Sequence, residues 1–232
     1  MKRFYREAAV VEADQGFTVH LDGKPVRTPA KHELRIPNRT LAEAIAAEWA
    51  AQGETVKPLT LPLTRLVSTG IDRVATRRTE IIHEIANYAG TDLLCYRATD
   101  PAELVARQER VWQSLLDWAT ERFDAPLCTT QGVSPVAQLP TALTAIERAV
   151  ATYDNLLLVA LHLATSAAGS VVIALALLEG KLNADEAFDA AQLDESFQIE
   201  RWGEDAEQTK QRAGIREDIT SAARFAALLR AD

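Results

Sequence analysis

A chain of 232 residues with 47% hydrophobic and 25% charged side chains is long enough to bury a real core and to hold one large or two modest domains. Its net charge of −8 argues against a nucleic-acid binder, which needs a basic stripe to meet phosphates, and favours solubility and a partner with a basic patch. The two cysteines, Cys95 and Cys128, lie in no metal-like spacing and read as buried, reduced thiols.

The chain starts Met1-Lys2-Arg3-Phe4-Tyr5 and goes almost directly into a strand-like pattern. It shows neither an apolar h-region nor an Arg/Ser-rich presequence, so no export or import address is expected. Phe17, Val19 and Leu21 alternate with Thr18, His20 and Asp22, as in a half-buried strand. Asp22-Gly23 supplies the positive φ values of a tight hairpin, and Lys24 to Thr28 returns with Pro25 at an edge or bulge. Leu34 and Ile36 suggest a further short strand stopped by Pro37.

Helical periodicity follows. Thr40 and Glu43 are spaced as a capping box, and Leu41, Ile45 and Trp49 share one face up to Gly53, with Trp49 as a core anchor. After the proline-punctuated connector Val56–Pro62, helices are expected through Val67, Ile71, Val74, Ile81 and Ile85, with a break near Thr76. Leu93-Leu94-Cys95-Tyr96 reads as a strand returning to the N-terminal sheet. Asp100, Pro101 and Glu103 form a helix start with Asp100 as cap. The stripe of that helix is Leu104, Gln108, Val111, Trp112, Leu115, Trp118 and Ala119.

Leu127 to Gln138 is a loop, Pro140 opens another helix, and Asp154 caps the apolar run Leu156–Leu178. That run is long enough to span a bilayer. Its interruption by His162 and Ser166-Ala167-Ala168-Gly169-Ser170, and its flanks without clustered Lys or Arg, predict two buried helices instead. His162 reads as a satisfied core histidine, His20 as exposed, and His83 as lying on a polar helix side. Asn183 and Glu186 cap the next helix, and Ile215, Ile219, Ala222, Ala226 and Leu229 mark a final amphipathic one.

The search for chemistry is mostly negative. No phosphate loop, dinucleotide fingerprint, Cys-x-x-Cys or serine-lysine spacing occurs. His32-Glu33 and His83-Glu84 lack the second histidine of a zinc-protease helix, and Gly132-Val133-Ser134-Pro135-Val136 lacks the last glycine of a nucleophile elbow. No metal, cofactor or small-molecule substrate is expected. The unusual stretch is 194–207, with carboxylates Asp194, Glu195, Glu200, Glu204, Asp205 and Glu207 among Phe197, Ile199 and Trp202. Its carboxylates could serve a soluble enzyme if they converged in a cleft. Leu193 and Phe197 share one side of the helix whereas Ile199 and Trp202 fall on the opposite one. A second apolar side beside acids suits a protein-docking surface, and packing of Trp202 against the final helix is the competing reading. Both stand on the residues alone.

Several stretches together resemble the assembly chaperones of the F-type ATP synthase α subunit. They are Leu21-Asp22-Gly23-Lys24-Pro25-Val26-Arg27-Thr28-Pro29, Leu41 to Trp49, Pro62-Leu63-Thr64-Arg65-Leu66, and Thr91-Asp92 before Cys95-Tyr96-Arg97. Gly169-Ser170, Phe197-Gln198-Ile199 and Trp202-Gly203 complete the set. The resemblance implies an α+β protein: an N-terminal β-containing domain over 1–100 and an all-α helical-bundle domain over 101–232. It implies a non-enzymatic chaperone that keeps free α subunit from aggregating until it pairs with β, without membrane insertion. By the same resemblance Glu195 matches a functionally important glutamate. The implied partner-binding set is Glu195, Phe197, Gln198, Ile199, Glu200, Trp202 and Glu204, and the structural set is Trp49, Asp22, Gly23 and Gly203. The implied location is the bacterial cytoplasm, with mitochondria for eukaryotic relatives.

Overall fold

The structure, a computed structural model, describes residues 2–132 and 134–231; Met1, Val133 and Asp232, and with Val133 the second position of the failed elbow motif, lie outside the described residues. Close packing divides the chain into two compact units. The first takes the described residues of Met1–Arg78, Asp154–Ala160 and Arg224–Asp232, and the second those of Thr79–Tyr153 and Leu161–Ala223.

In the first unit β1 (Ala8–Ala13), β2 (Gly16–Leu21) and β3 (Lys24–Pro25) form an antiparallel sheet in the order β1-β2-β3. Val19 and Leu21 lie in the core as the alternation predicts, but Phe17 is only half-buried and Thr18, expected on the polar side, is buried at 2% exposure. Gly16, at φ +94°, is required because a Cβ there would stand 2.3 Å from the Ile36 carbonyl oxygen. Asp22 and Gly23 take φ 47° and 79° to turn β2 into β3. Backbone hydrogen bonds from Glu7 and Arg6 hold the Asp22 carboxyl below its usual range. Leu34 and Ile36 are buried, but the segment makes only isolated bridges, Phe17 with Ile36 and Arg27 with Glu33, where a strand was expected.

Helix α1 (Arg39–Ala50) packs on β1 and β2 through Leu41, Ala42, Ile45 and Ala46. Its cap is Asn38, whose Oδ1 accepts from the Leu41 amide at 2.8 Å. Thr40 is already inside the helix, so the expected Thr40–Glu43 box does not form. Trp49 is half-buried and meets the Tyr5 ring edge-on at 5.7 Å, while the Tyr5 hydroxyl donates to the Trp49 carbonyl at 2.7 Å. Beside it the carboxylate of Glu48 is buried. It accepts from the amides of Leu63 (2.7 Å) and Thr64 (3.0 Å) and from the Thr64 hydroxyl (2.9 Å). It thereby caps α2 (Pro62–Thr69), whose own N-cap, Leu61, has no side-chain acceptor. A π-helical segment, Gly70–Val74, leads into α3 (Ala75–Ala86), and the expected break falls at Arg77, with φ −127°.

In the second unit Leu93–Cys95 is a 3₁₀ turn, and the expected strand shrinks to β4 (Tyr96–Arg97). It pairs in parallel with β5 (Thr130–Gln131), not with the N-terminal sheet. Asp92 is the cause. Its buried Oδ1 accepts from the Leu94 amide at 3.1 Å and bends the apolar run into a turn. Helix α4 (Ala102–Gln108) continues through a π segment, Glu109–Gln113, into α5 (Ser114–Phe123). Pro101 occupies the N-cap without a side-chain bond, so Asp100 does not cap this helix; its carboxylate accepts from the Thr99 hydroxyl. Trp112 is fully buried and donates from Nε1 to the Ala190 carbonyl at 2.8 Å. Cys95 is buried as expected, and burial pushes its thiol up to about 12. Cys128 is only half-buried, in a loop held by the Gln138 amide.

Helix α6 (Pro140–Ala151) begins at its proline. The apolar run becomes α7 (Asn155–Ala168), capped by Asp154, and α8 (Val171–Leu178). Gly169 at φ 65° and the N-cap Ser170 separate them. Among the described residues no helix is long and apolar enough to cross a membrane. All eight residues of α8 are buried. His162 is not a core residue: its side chain is 42% exposed and faces Glu84 at 3.6 Å. His20 is half-buried, and His83 meets Glu147 at 3.2 Å on an exposed side. The Asn183–Glu186 capping box starts α9 (Ala184–Ala191), and α10 (Leu193–Trp202) and α11 (Ala206–Arg230) follow. The chain is α+β, with its small sheet ahead of a long helical succession.

Asp92 also accepts from the Val172 amide at 3.3 Å and from Ser170, and burial pushes its carboxyl from 3.8 up to about 6. A value raised in the folded state means that this group's contribution is fully present below about pH 4 and is lost as pH rises through about 6. Asp92→Asn cannot titrate. The stability advantage of wild type over that variant should shrink by on the order of 3 kcal/mol between pH 4 and pH 7, read by urea unfolding at stepped pH.

Candidate functional site

The acidic stretch folds as α10 with its flanks, within the second unit. Leu193 and Phe197 point inward, 7% and 2% exposed, whereas Trp202 is 77% exposed. Trp202 therefore does not pack against α11, which removes the competing reading of that residue. Ile199 is half-buried, and Gln198, Glu200 and Glu204 are exposed. Gly203, at φ 84° and ψ 171°, ends the helix in a conformation essentially reserved for glycine, leaving Trp202 at the rim.

Around the buried Leu193 and Phe197, polar contacts orient α10. The Phe197 ring lies 5.2 Å from the Arg107 guanidinium and 4.4 Å from that of Arg201. Arg107 bonds Glu103 and Glu200 at 2.8 Å each, and Arg201 bonds Glu103 at 3.0 Å. The hydrogen bond from Arg107 holds both Glu103 and Glu200 below the usual carboxylate range, and Glu200 followed by Glu103 raises Arg107. These groups are exposed, so each pair contributes little by itself; their shared geometry orients α10 against α4. On the far side Arg212 of α11 donates to Gln192 (3.2 Å) and Ser196 (3.0 Å) and faces Glu204 at 3.5 Å.

Four of the six carboxylates have separate partners. Asp194 accepts from Gln108 at 2.7 Å, and its pKa is raised, mainly by burial. Glu200 is bound by Arg107 and Glu204 by Arg212. Asp205 caps α11 by accepting from the amides of Glu207 and Gln208, so Glu207 sits in a helix first turn. Glu195 is half-buried and has no hydrogen-bond or ion-pair partner among the described residues. No group of three or more His, Cys, Asp or Glu among the described residues is placed to hold a metal ion. The arrangement that would support carboxylate chemistry, several acids turned into one cleft, is not what these partners build.

A family model described as "ATP12 chaperone protein" matches residues 2–120, just over half of the chain. The chain belongs to the ATP12 chaperone family. This is the family of ATP synthase assembly chaperones that the sequence resembles. Atp12 of Paracoccus denitrificans, known from its crystal structure, is 39% identical with a TM-score of 0.93, over 99% of this chain and 98% of that one. Atu1473, a candidate chaperone of Agrobacterium tumefaciens, is 43% identical with a TM-score of 0.91, over 98% of this chain and 85% of that one. The mitochondrial protein atp12 of Schizosaccharomyces pombe is 25% identical, over 87% of this chain and 74% of its own length. Helix α10 lies beyond the residues matched by the ATP12 family model but within the reach of the two bacterial structures.

Sequence reasoning placed Gln108 in the buried stripe, as found, but missed its bonds to Ala98 and Asp194 and the supports Arg107 and Arg212. Glu103 and Arg107 carry a readable signal, an i,i+4 pair. The others bond across elements distant in the chain. Truncating Phe197 to Ala should cost about 3–5 kcal/mol of stability, whereas Trp202→Ala should stay within about 0.5 kcal/mol of wild type; urea unfolding of both variants checks the pair.

Proposed function

We propose that this ATP12 family member binds the unassembled α subunit of the F-type ATP synthase and prevents its aggregation until it pairs with the β subunit. The observation that carries this reading is Trp202, 77% exposed beside a carboxylate-rich helix that is held on both sides. Exposed tryptophan is costly to leave in water and is a frequent anchor of protein interfaces. The flanking carboxylates select a basic surface and repel unsuitable partners.

The docking set is Glu195, Phe197, Gln198, Ile199, Glu200, Trp202 and Glu204, with distinct parts. Phe197 is buried and sets the helix, Trp202 and Ile199 supply apolar contact, and the polar members supply selectivity. Glu195, half-buried and without a partner among the described residues, offers a carboxylate to an incoming cation. Trp49, Asp22, Gly23 and Gly203 serve the scaffold. The role needs no catalytic group, cofactor or small-molecule substrate, because covering an apolar client surface is driven by desolvation. Release follows when the larger client–client interface competes for the same surface. We place this action in the bacterial cytoplasm, in line with the relatives from Paracoccus and Agrobacterium.

Co-purification from lysate should recover free α subunit and no assembled ATP synthase. With purified α subunit, Trp202→Ala should weaken binding by on the order of 2 kcal/mol, about thirtyfold in Kd. Glu195→Lys should weaken it with thermal unfolding nearly unchanged. Undiminished binding by both variants would remove α10 from the interface, and wild-type protein that captures no α subunit would overturn the function itself.

A further inference from the structure

Gln108 is a polar residue inside an otherwise apolar stripe, only 1% exposed. Every hydrogen-bonding group it shows is directed. Its Oε1 accepts from the Ala98 amide at 2.8 Å, just past β4. Its Nε2 donates to Asp194 Oδ1 at 2.7 Å, in the first turn of α10. Its carbonyl accepts from Arg97 at 2.8 Å, and Arg97 in turn lies over the buried Trp112 ring at 5.5 Å. One side chain thus joins Ala98, just past β4, to the start of α10. A buried amide with both ends satisfied by different elements specifies their relative position, since either bond lost leaves a desolvated polar group.

We infer that Gln108 is a positioning residue for client docking: by holding Ala98 on one end and Asp194 on the other, it fixes where α10 presents Glu195 and Trp202. The inference rests on the reading that α10 is the docking helix. The Arg107 lattice orients the exposed side of α10, whereas Gln108 fixes its buried end.

Gln108→Glu tests this with almost no change in shape. One oxygen of the new carboxyl still accepts from Ala98, but the other now faces the Asp194 carboxylate. The charged groups around the pair are Asp194 on α10, Arg97 on β4, and Glu109 and Asp117, which act on Arg97 from the α4–α5 rod. Two carboxyls in contact favour sharing one proton. At pH 7.5 the variant should lose at least about tenfold in affinity for purified α subunit, with faster amide exchange across 193–202. At pH 5.5 both effects should diminish in the variant and change far less in wild type. Adding Asp194→Asn restores a donor–acceptor pair with its polarity reversed, and the double variant should recover both exchange protection and binding.

Amide exchange needs no client, so the two readings fail separately. Unchanged exchange in Gln108→Glu, or a double variant no better than the single, would overturn the positioning role. Altered and rescued exchange with binding untouched would leave Gln108 fixing α10 but remove α10 from docking. Loss of global folding in Gln108→Glu without rescue by Asp194→Asn would assign Gln108 to general stability and overturn the inference.

Discussion

The structure of the second unit depends on how a fully apolar helix begins in a buried core. Helix α8 has no exposed residue to share its first amides with water, and unsatisfied amides there would each carry a desolvation penalty. The Asp92 carboxylate, itself completely buried, accepts from the Val172 amide and from Ser170, while Ser170 Oγ accepts from the Ile173 amide. The same carboxylate turns Leu93–Cys95 and so sets β4 where it can pair with β5. From β4 the positional information passes through Arg97 and Gln108 to α10. A buried acid at a helix break thus connects, bond by bond, to the start of the acidic helix.

The first unit uses the same device with different residues. Glu48 accepts from the first amides of α2, where Leu61 offers no cap, and burial raises its pKa. Nearby, Gln52 ties down the Lys57 amide and the Thr60 hydroxyl. In both units a side chain from elsewhere in the chain completes a helix start. Such contacts bind segments together as firmly as apolar packing, because breaking one strands groups on both sides.

This construction suits an assembly chaperone. Its interior is specified by directed bonds, so a surface helix can keep an exposed tryptophan without needing it for stability. The arginines on either side of α10 act through charge and ring contacts that water and salt attenuate. A partner's surface can therefore compete with them locally without disturbing the buried end of the helix.

The legible part of the molecule was local. The Asp22-Gly23 turn, the Asn183–Glu186 box and the break in the apolar run at Gly169-Ser170 appear as read, since their causes lie within a few residues, whereas the alternation of β2 holds at Val19 and Leu21 but not at Thr18, which other parts of the fold cover. The two-sided apolar pattern of 193–202 was legible for the same reason, as helix geometry alone separates Phe197 from Trp202. Where expectation and structure part, a distant residue decided. Leu93–Tyr96 has the composition of a strand, but Asp92 and α8 make most of it a turn. His162 sits in an apolar run, yet its helix turns it toward Glu84 and solvent. Asn38 took the capping role assigned to Thr40, and its amide also bonds Leu228 and Leu229, far along the chain. In the acidic segment, composition could list six carboxylates but not their partners. Sequence by itself determined most of the helices, the β2–β3 turn and the presence of a two-faced acidic helix, because these follow from periodicity and short-range geometry, and its motifs carried the family resemblance. Only the tertiary structure decided that Trp202 faces solvent, that Gln108 grips Asp194 and that Glu195 is left without a partner, because each depends on which remote side chains the fold brings within hydrogen-bonding distance.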